Sequence, residues 1–304
     1  HTCLRAFNLD RAGTMERVAQ AGGMAESGDH WQQSDLLGLL ASAEAPMAAR
    51  VPDELPRLSG PEPAVAALEV PRTLLILDTE TTALSPSEGS CIEVGAILFA
   101  VPQRAVLTQV SLLLPCDRNP AEAINGIAAA VTRLEQPWQA AMACFKAMLQ
   151  HCDAVLAHNA AFDRQWFDGS GHLPTITRPW ICSMEDMRWP PERQLRANPS
   201  VRDLALAYGV PVWAAHRALT DCIYLAQVME RCQDLEALLE AALQPRQLFR
   251  ARLSYSERHL AKQAGFRWND PIQGAWTRRL SDREAEALPF PVQPCDANDL
   301  PATA

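Results

Sequence analysis

Lysine is nearly missing from this 304-residue sequence. Of its 27 Lys and Arg residues only Lys146 and Lys262 are lysines, a bias that genomic composition explains more simply than function. No run of 18 apolar residues occurs, which excludes a membrane-spanning helix. No CxxC pair occurs either. The nine cysteines are scattered and odd in number, which argues against a zinc site and for reduced thiols in a cytosolic compartment. No signal-peptide pattern is evident, so a cytoplasmic location is expected. A basic excess is lacking overall, with a formal net charge of −9. The charge is uneven, however: from Gln244 to Arg283, nine Lys or Arg residues stand against three Asp or Glu, an asymmetry that can mark a nucleic-acid contact surface.

Against these absences stand four carboxylates and a histidine, each in a compact setting. Asp78 and Glu80 lie in LLILDTETTAL, residues 74–84. Leu74 to Leu77 is a short apolar run that predicts a buried strand. Side chains on a strand alternate between faces, so Asp78 and Glu80 point the same way. Two carboxylates side by side repel unless a cation lies between them, and oxygen ligands of this hardness suit Mg²⁺ or Mn²⁺. A solvated strand-end turn is the plainer explanation of the same residues.

Asp163 closes HNAAFD, residues 158–163, after a second apolar run, Ala154 to Ala157. The composition places it in the first turn of a helix leaving a strand, at the sheet edge facing Asp78. A helix dipole alone also favours an acid there. His216 and Asp221 lie in HRALTD, residues 216–221, just ahead of and inside a strong helix. A histidine with an ordinary pKa near ~6.5 can take a proton from an activated water at neutral pH.

DTETT, HNAAFD and HRALTD, in this order, resemble the three motifs of the DEDDh superfamily of 3′→5′ exonucleases. This is the family of the proofreading (epsilon) subunit of bacterial DNA polymerase III. The resemblance covers roughly residues 72–232, and CIEVGAILF (91–99) resembles its second strand, with Glu93 in the usual place. It implies an α/β, ribonuclease-H-like, mixed five-stranded sheet flanked by helices. It implies two ions, Mg²⁺ or Mn²⁺, one held by Asp78, Asp163 and Asp221 and the other mainly by Asp78 and Glu80 through the substrate phosphate. His216 would be the base, and the products would be nucleoside 5′-monophosphates. Thr79 and Thr81, Leu84, Asn125, His158, Asn159 and Phe162 are the substrate contacts it implies. Two positions differ from the family pattern. Ala83 stands where Gly is common, and Asn125 in INGI (124–127) stands where His is common, both at the substrate end of the pocket.

The implied reaction is hydrolysis of a single-stranded DNA 3′ end in proofreading or repair, with DNA polymerase III as a possible partner and no membrane. An RNA-trimming enzyme of the oligoribonuclease type would use the same five groups. A nucleic-acid-binding or polymerase-tethered module without turnover is the reading from another class. The net negative charge is compatible with hydrolysis, because metal would neutralise four of the acids and the enzyme grips only a few nucleotides.

The chain divides by composition. Residues 1–71 are expected to be largely disordered, with a Pro-rich linker at 51–71 and a short amphipathic helix at 35–45. Residues 72–243 form the exonuclease domain. Residues 244–283 form a small basic module, with a helix in SYSERHLAKQAGF and a hairpin from FRWND and GAWTRRL, and residues 284–304 are expected to be a disordered tail. In the module, Trp268 and Trp276 are expected to form a tiny core, with a nucleic-acid role open to the arginines beside them.

Overall fold

Leu74, Leu75, Ile76 and Leu77 are all wholly shielded from solvent, so the strand they build must be covered on both faces. That strand, β1 (Thr73–Thr81), is the centre of the larger sheet. A computed structural model describes residues 69–296, except 170 and 215. The expectations for residues 1–68, including the helix at 35–45, and for the tail beyond 296 lie outside the described residues.

β2 (Cys91–Ala100) and β3 (Ala105–Leu113) follow β1 as an antiparallel meander. β4 (Ala154–Ala157) and β5 (Trp180–Cys182) then add in parallel on the other side of β1. The order is β3-β2-β1-β4-β5, the mixed five-stranded sheet expected. Parallel addition needs a crossover. The one between β3 and β4 contains α1 (Glu122–Asn125), α2 (Ala129–Thr132) and α3 (Trp138–His151), the last starting directly after Pro137. α1 and α2 are two separate turns, because Gly126 ends α1 in the left-handed region at φ 66°. α4 (Ala160–Arg164) follows β4, α5 (Val201–Ala207) carries a Ser200 capping box, and α6 (Ala218–Arg231) and α7 (Leu235–Ala242) close the domain.

Alternation along β1 sorts the core. Leu74 and Ile76 pack with Cys222, Leu225 and Val228 of α6. Leu75 and Leu77 pack with Met142, Phe145 and Met148 of α3. By the same period of two, Asp78 and Glu80 emerge on the α6 face and Thr79 on the other. Gly95 of β2, paired with Asp78, lets α6 lie directly on the sheet: a Cβ there would overlap the Leu219 nitrogen and the Ala218 carbonyl group. Among the described residues, no helix is long and apolar enough to cross a membrane.

The C-terminal module is larger than a helix and hairpin. β6 (Gln247–Ala251), α8 (Arg258–Gln263), β7 (Arg267–Trp268), β8 (Trp276–Leu280), α9 (Asp282–Glu286) and β9 (Val292–Pro294) form a four-stranded antiparallel sheet with the order β7-β8-β6-β9. The expected hairpin is β7–β8. The expected tail is corrected over residues 284–294: Phe290 is buried, and β9 pairs with β6. Prolines 289, 291 and 294 made this stretch read as coil, yet an edge strand tolerates proline. The module core is Phe249, Ala261, Phe266, Leu280 and Phe290. Of the two tryptophans expected as core, Trp276 is half-buried against this cluster, whereas Trp268 is 51% exposed and leans on Trp276 with ring centroids 5.5 Å apart.

Ion pairs and a hydrogen bond link the module to the preceding domain. The almost fully buried Arg246 reaches Glu284 at 3.2 Å and the Asp186 carbonyl at 3.0 Å, and Arg188 pairs with Glu284 at 2.7 Å.

Candidate active site

Asp78 and Glu80 leave the open end of β1 toward α6, and Asp221 comes down from the first turn of α6 to meet them. Single carboxylate oxygens of these three residues all lie within 4.8 Å of one another. Asp163 enters from α4 and is almost completely buried. Its Oδ1 accepts a 2.7 Å hydrogen bond from the Thr79 hydroxyl, the side chain between the two acids of β1 on the opposite face. One strand thus presents two carboxylates forward and steadies a third behind.

The electrostatics are those of an uncompensated cluster. Burial, reinforced by Asp163, Asp221 and Glu80, holds Asp78 well above the usual carboxylate range. Burial also pushes Glu80 up to about 8, helped by Glu93 and Asp221 and opposed by Arg217. Burial lifts Asp163 to about 7 despite the opposing bond from Thr79. Asp221 is raised by burial too, with His216 and backbone N–H groups opposing. Four acids at one strand end that all resist ionisation are poised for divalent cations, whose charge removes the penalty. The all-oxygen donor set fits a hard ion and no soft one.

His216 is exposed, lies two residues before α6, and takes a left-handed conformation at φ 60°. Its loop is held at both ends. On the far side, Glu93 of β2, 1% exposed, accepts from Arg217 at 2.8 and 3.0 Å and from the Ala218 N–H at 3.1 Å. On the near side, the Tyr224 hydroxyl accepts from the N–H groups of Trp213 and Ala214, each at 2.9 Å, and donates to the Ala214 carbonyl at 2.7 Å. A non-glycine residue at positive φ persists only where its surroundings enforce it, and these two clamps do so. Asp78, His158, Trp213, His216 and Asp221 line one cavity of about 700 Å³.

The expected substrate residues divide. Leu84 is 80% exposed on the loop after β1, with its carbonyl held by Gln165 at 3.0 Å. Thr81 closes the same turn through the Ala83 carbonyl at 2.7 Å. Asn159 is exposed, in a left-handed turn opening α4. Phe162 is half-buried against Trp166. His158 lines the cavity with Nδ1 2.9 Å from the Ser183 hydroxyl, and burial lowers its pKa to about 4. Asn125 lies beneath the turn after β1. It is buried, donates to the Thr81 carbonyl at 3.2 Å and accepts from Asn119 at 2.9 Å and from the Ile127 N–H at 3.1 Å. It braces the turn after β1. The clamps by Tyr224 and Glu93 were missed; only the position of Glu93 had a sequence signal.

A family model described as Exonuclease (RNase_T) matches residues 75–229, and a model described as a domain of unknown function (DUF8626) matches residues 247–295. The mixed sheet and the carboxylate cluster at its open end fit an exonuclease domain. The chain belongs to the Exonuclease family, whose members use divalent metal ions. Among solved structures, exonuclease X in complex with 5′ overhanging duplex DNA is 27% identical, with a TM-score of 0.38, covering 52% of this chain and 89% of that one. The E. coli ExoI–ssDNA complex in its zinc-bound form is 18% identical, with a TM-score of 0.42, over 63% of this chain and 50% of that one. The nuclease domain of 3′hExo, a DEDDh family member bound to rAMP, is 15% identical, with a TM-score of 0.41, over 53% and 90%. No curated protein matches the chain.

Proposed function

We propose that this protein hydrolyses single-stranded DNA from its 3′ end to nucleoside 5′-monophosphates, in proofreading or repair, with Mg²⁺ or Mn²⁺. The observation that carries the reading is the meeting of the Asp78, Glu80 and Asp221 carboxylates, with Asp78 and Asp221 lining one cavity beside His216 and the buried Asp163 adjoining. DNA as the polymer is supported by the resemblance of DTETT, HNAAFD and HRALTD to a proofreading subunit.

Asp78, Asp163 and Asp221 would hold one ion, and Asp78 with Glu80 the other. When bound, the ions supply charge neutralisation at the phosphate and Lewis-acid activation of water. The chain's residues do the remainder. His216, fixed between its two clamps, accepts the proton as the water oxygen bonds to phosphorus and the bond to the 3′ oxygen of the penultimate nucleotide breaks. Its exposure lets it return that proton to solvent. Neutral His158 adds no competing charge to the cavity. The turn after β1, braced by Asn125 and Gln165, presents Leu84 to the terminal base.

The test uses 5′-labelled single-stranded DNA, mismatched duplex and RNA with the full chain, each with Mg²⁺, Mn²⁺ or chelator, beside His216→Ala. Chelator-sensitive release of mononucleotides from DNA, lost in His216→Ala, is expected. Cleavage of RNA alone would replace DNA as the substrate, and no release from any polymer would overturn the reading. Proofreading with DNA polymerase III is the narrower form, checked by faster removal of mismatched than matched 3′ ends and by co-elution with that polymerase.

A further inference from the structure

We infer that Trp213, with Leu206 of α5 beside it, is a stacking platform for a nucleobase of the bound strand. The inference rests on the proposed nuclease reading, and deepens it by assigning a base subsite on the histidine side of the cavity.

Trp213 is 63% exposed and Leu206 57% exposed. Single apolar residues on a surface ordinarily need no explanation. These two, however, line the same cavity as Asp78, His216 and Asp221, so any strand whose phosphate lies at the carboxylates passes them. Arg202, exposed on the same rim, supplies the positive charge that an adjacent phosphate would meet.

The ring is also held in place. Backbone N–H groups of Trp213 and Ala214 both donate to the Tyr224 hydroxyl, and the Trp213 ring packs edge-to-face on Tyr224 with centroids 4.9 Å apart. Tyr224 lies one turn of α6 beyond Asp221, so the helix that carries a metal-site carboxylate also fixes the aromatic surface. An exposed indole on a rigid mount loses little entropy when a base covers it, and stacking of this kind tolerates any base. Leu84 and Phe162, expected at the terminal base, stand outside this cavity's lining. The platform therefore serves a different face of the nucleotide track.

The experiment uses the full chain with 5′-fluorescein-labelled oligodeoxythymidylate. Binding is read by anisotropy in Ca²⁺, and cleavage by KM and kcat in Mg²⁺. Trp213→Ala should raise Kd and KM about tenfold with kcat unchanged, and Trp213→Phe should restore most of the loss. An abasic nucleotide at one of the three 3′-terminal positions should weaken wild-type binding by a similar factor and leave Trp213→Ala unaffected, because the two changes remove one contact. Unchanged affinity in Trp213→Ala overturns the platform. So does a loss equal for intact and abasic strands, which would mark the rim as a protein-docking or purely structural surface. Wild type that binds with this base dependence but releases no nucleotide overturns hydrolysis and keeps the platform. Cleavage that is independent of Trp213 does the reverse.

Discussion

Two clusters of buried charge in this molecule are handled in opposite ways. Where the C-terminal module meets the exonuclease domain, acids face arginines: Arg246 and Arg188 both engage Glu284. Burial pulls the Glu284 pKa upward, but Arg246, Arg188 and the Ser281 N–H overcome that pull and hold it below its ordinary value. At the end of β1, the acids face one another. Arg217, the nearby arginine, is turned to Glu93, and Asp78, Glu80, Asp163 and Asp221 are all shifted upward. The first cluster is finished as it stands. The second is incomplete without a cation, and it sacrifices stability to remain so.

The sharpest break is at the incomplete cluster. Asp78→Ala or Asp221→Ala should reduce exonuclease turnover by a factor of ~10³ or more, while raising the melting temperature of the metal-free protein, because each removes a repelling charge. Turnover assays and thermal denaturation in chelator check both halves. At the finished cluster, Arg246→Ala should do the reverse. It leaves half-buried Glu284 with Arg188 as its remaining partner and should cost about 2 kcal/mol in urea unfolding, with kcat on a short oligonucleotide little changed.

Glu93→Gln sits between the two clusters. It keeps the shape but weakens the grip on Arg217 and the Ala218 N–H, and should lower kcat about tenfold with KM preserved, a split read from steady-state kinetics. The smallest effect is on pH. The site carboxylates bind protons more tightly folded than unfolded, so the stability they contribute is full below their unfolded pKa near ~4 and is lost as pH rises. Over the window up to about 7 for Asp163 and about 8 for Glu80, metal-free stability should fall. Mg²⁺ or Mn²⁺ should therefore raise the melting temperature more at pH 8.5 than at pH 6. An equal rise at both would show that the ion does not relieve these acids.

Much of the exonuclease domain was legible because its chemistry is written in short local runs. Leu74 to Leu77 announced a strand covered on both faces, and the strand period alone put Asp78 and Glu80 together. The approach of Asp221 was legible only through family resemblance, since nothing local fixes how a helix 140 residues away lies on that strand. Tyr224 went unread because its site-side work is done by a hydroxyl bonded to backbone, and a tyrosine on an apolar helix face looks like core. The bracing by Asn125 was unread for a similar reason, since resemblance alone says nothing of the bonds its amide makes to neighbouring backbone. In the module, strand β9 was hidden by its prolines, and Trp268 read as core beside Trp276 because its exposure depends on a sheet not yet assembled.

Gly95 links the rate of the enzyme to its interior. With no side chain there, the spacing between Asp221 and the pair on β1 equals the spacing between helix and sheet, and no loop intervenes to absorb an error. The catalytic geometry therefore has no adjustment of its own. Any change of volume beneath α6, even one far from solvent at Cys222 or Leu225, will be transmitted to these carboxylates as a change in their separation, and evolution of this site must proceed through its foundations.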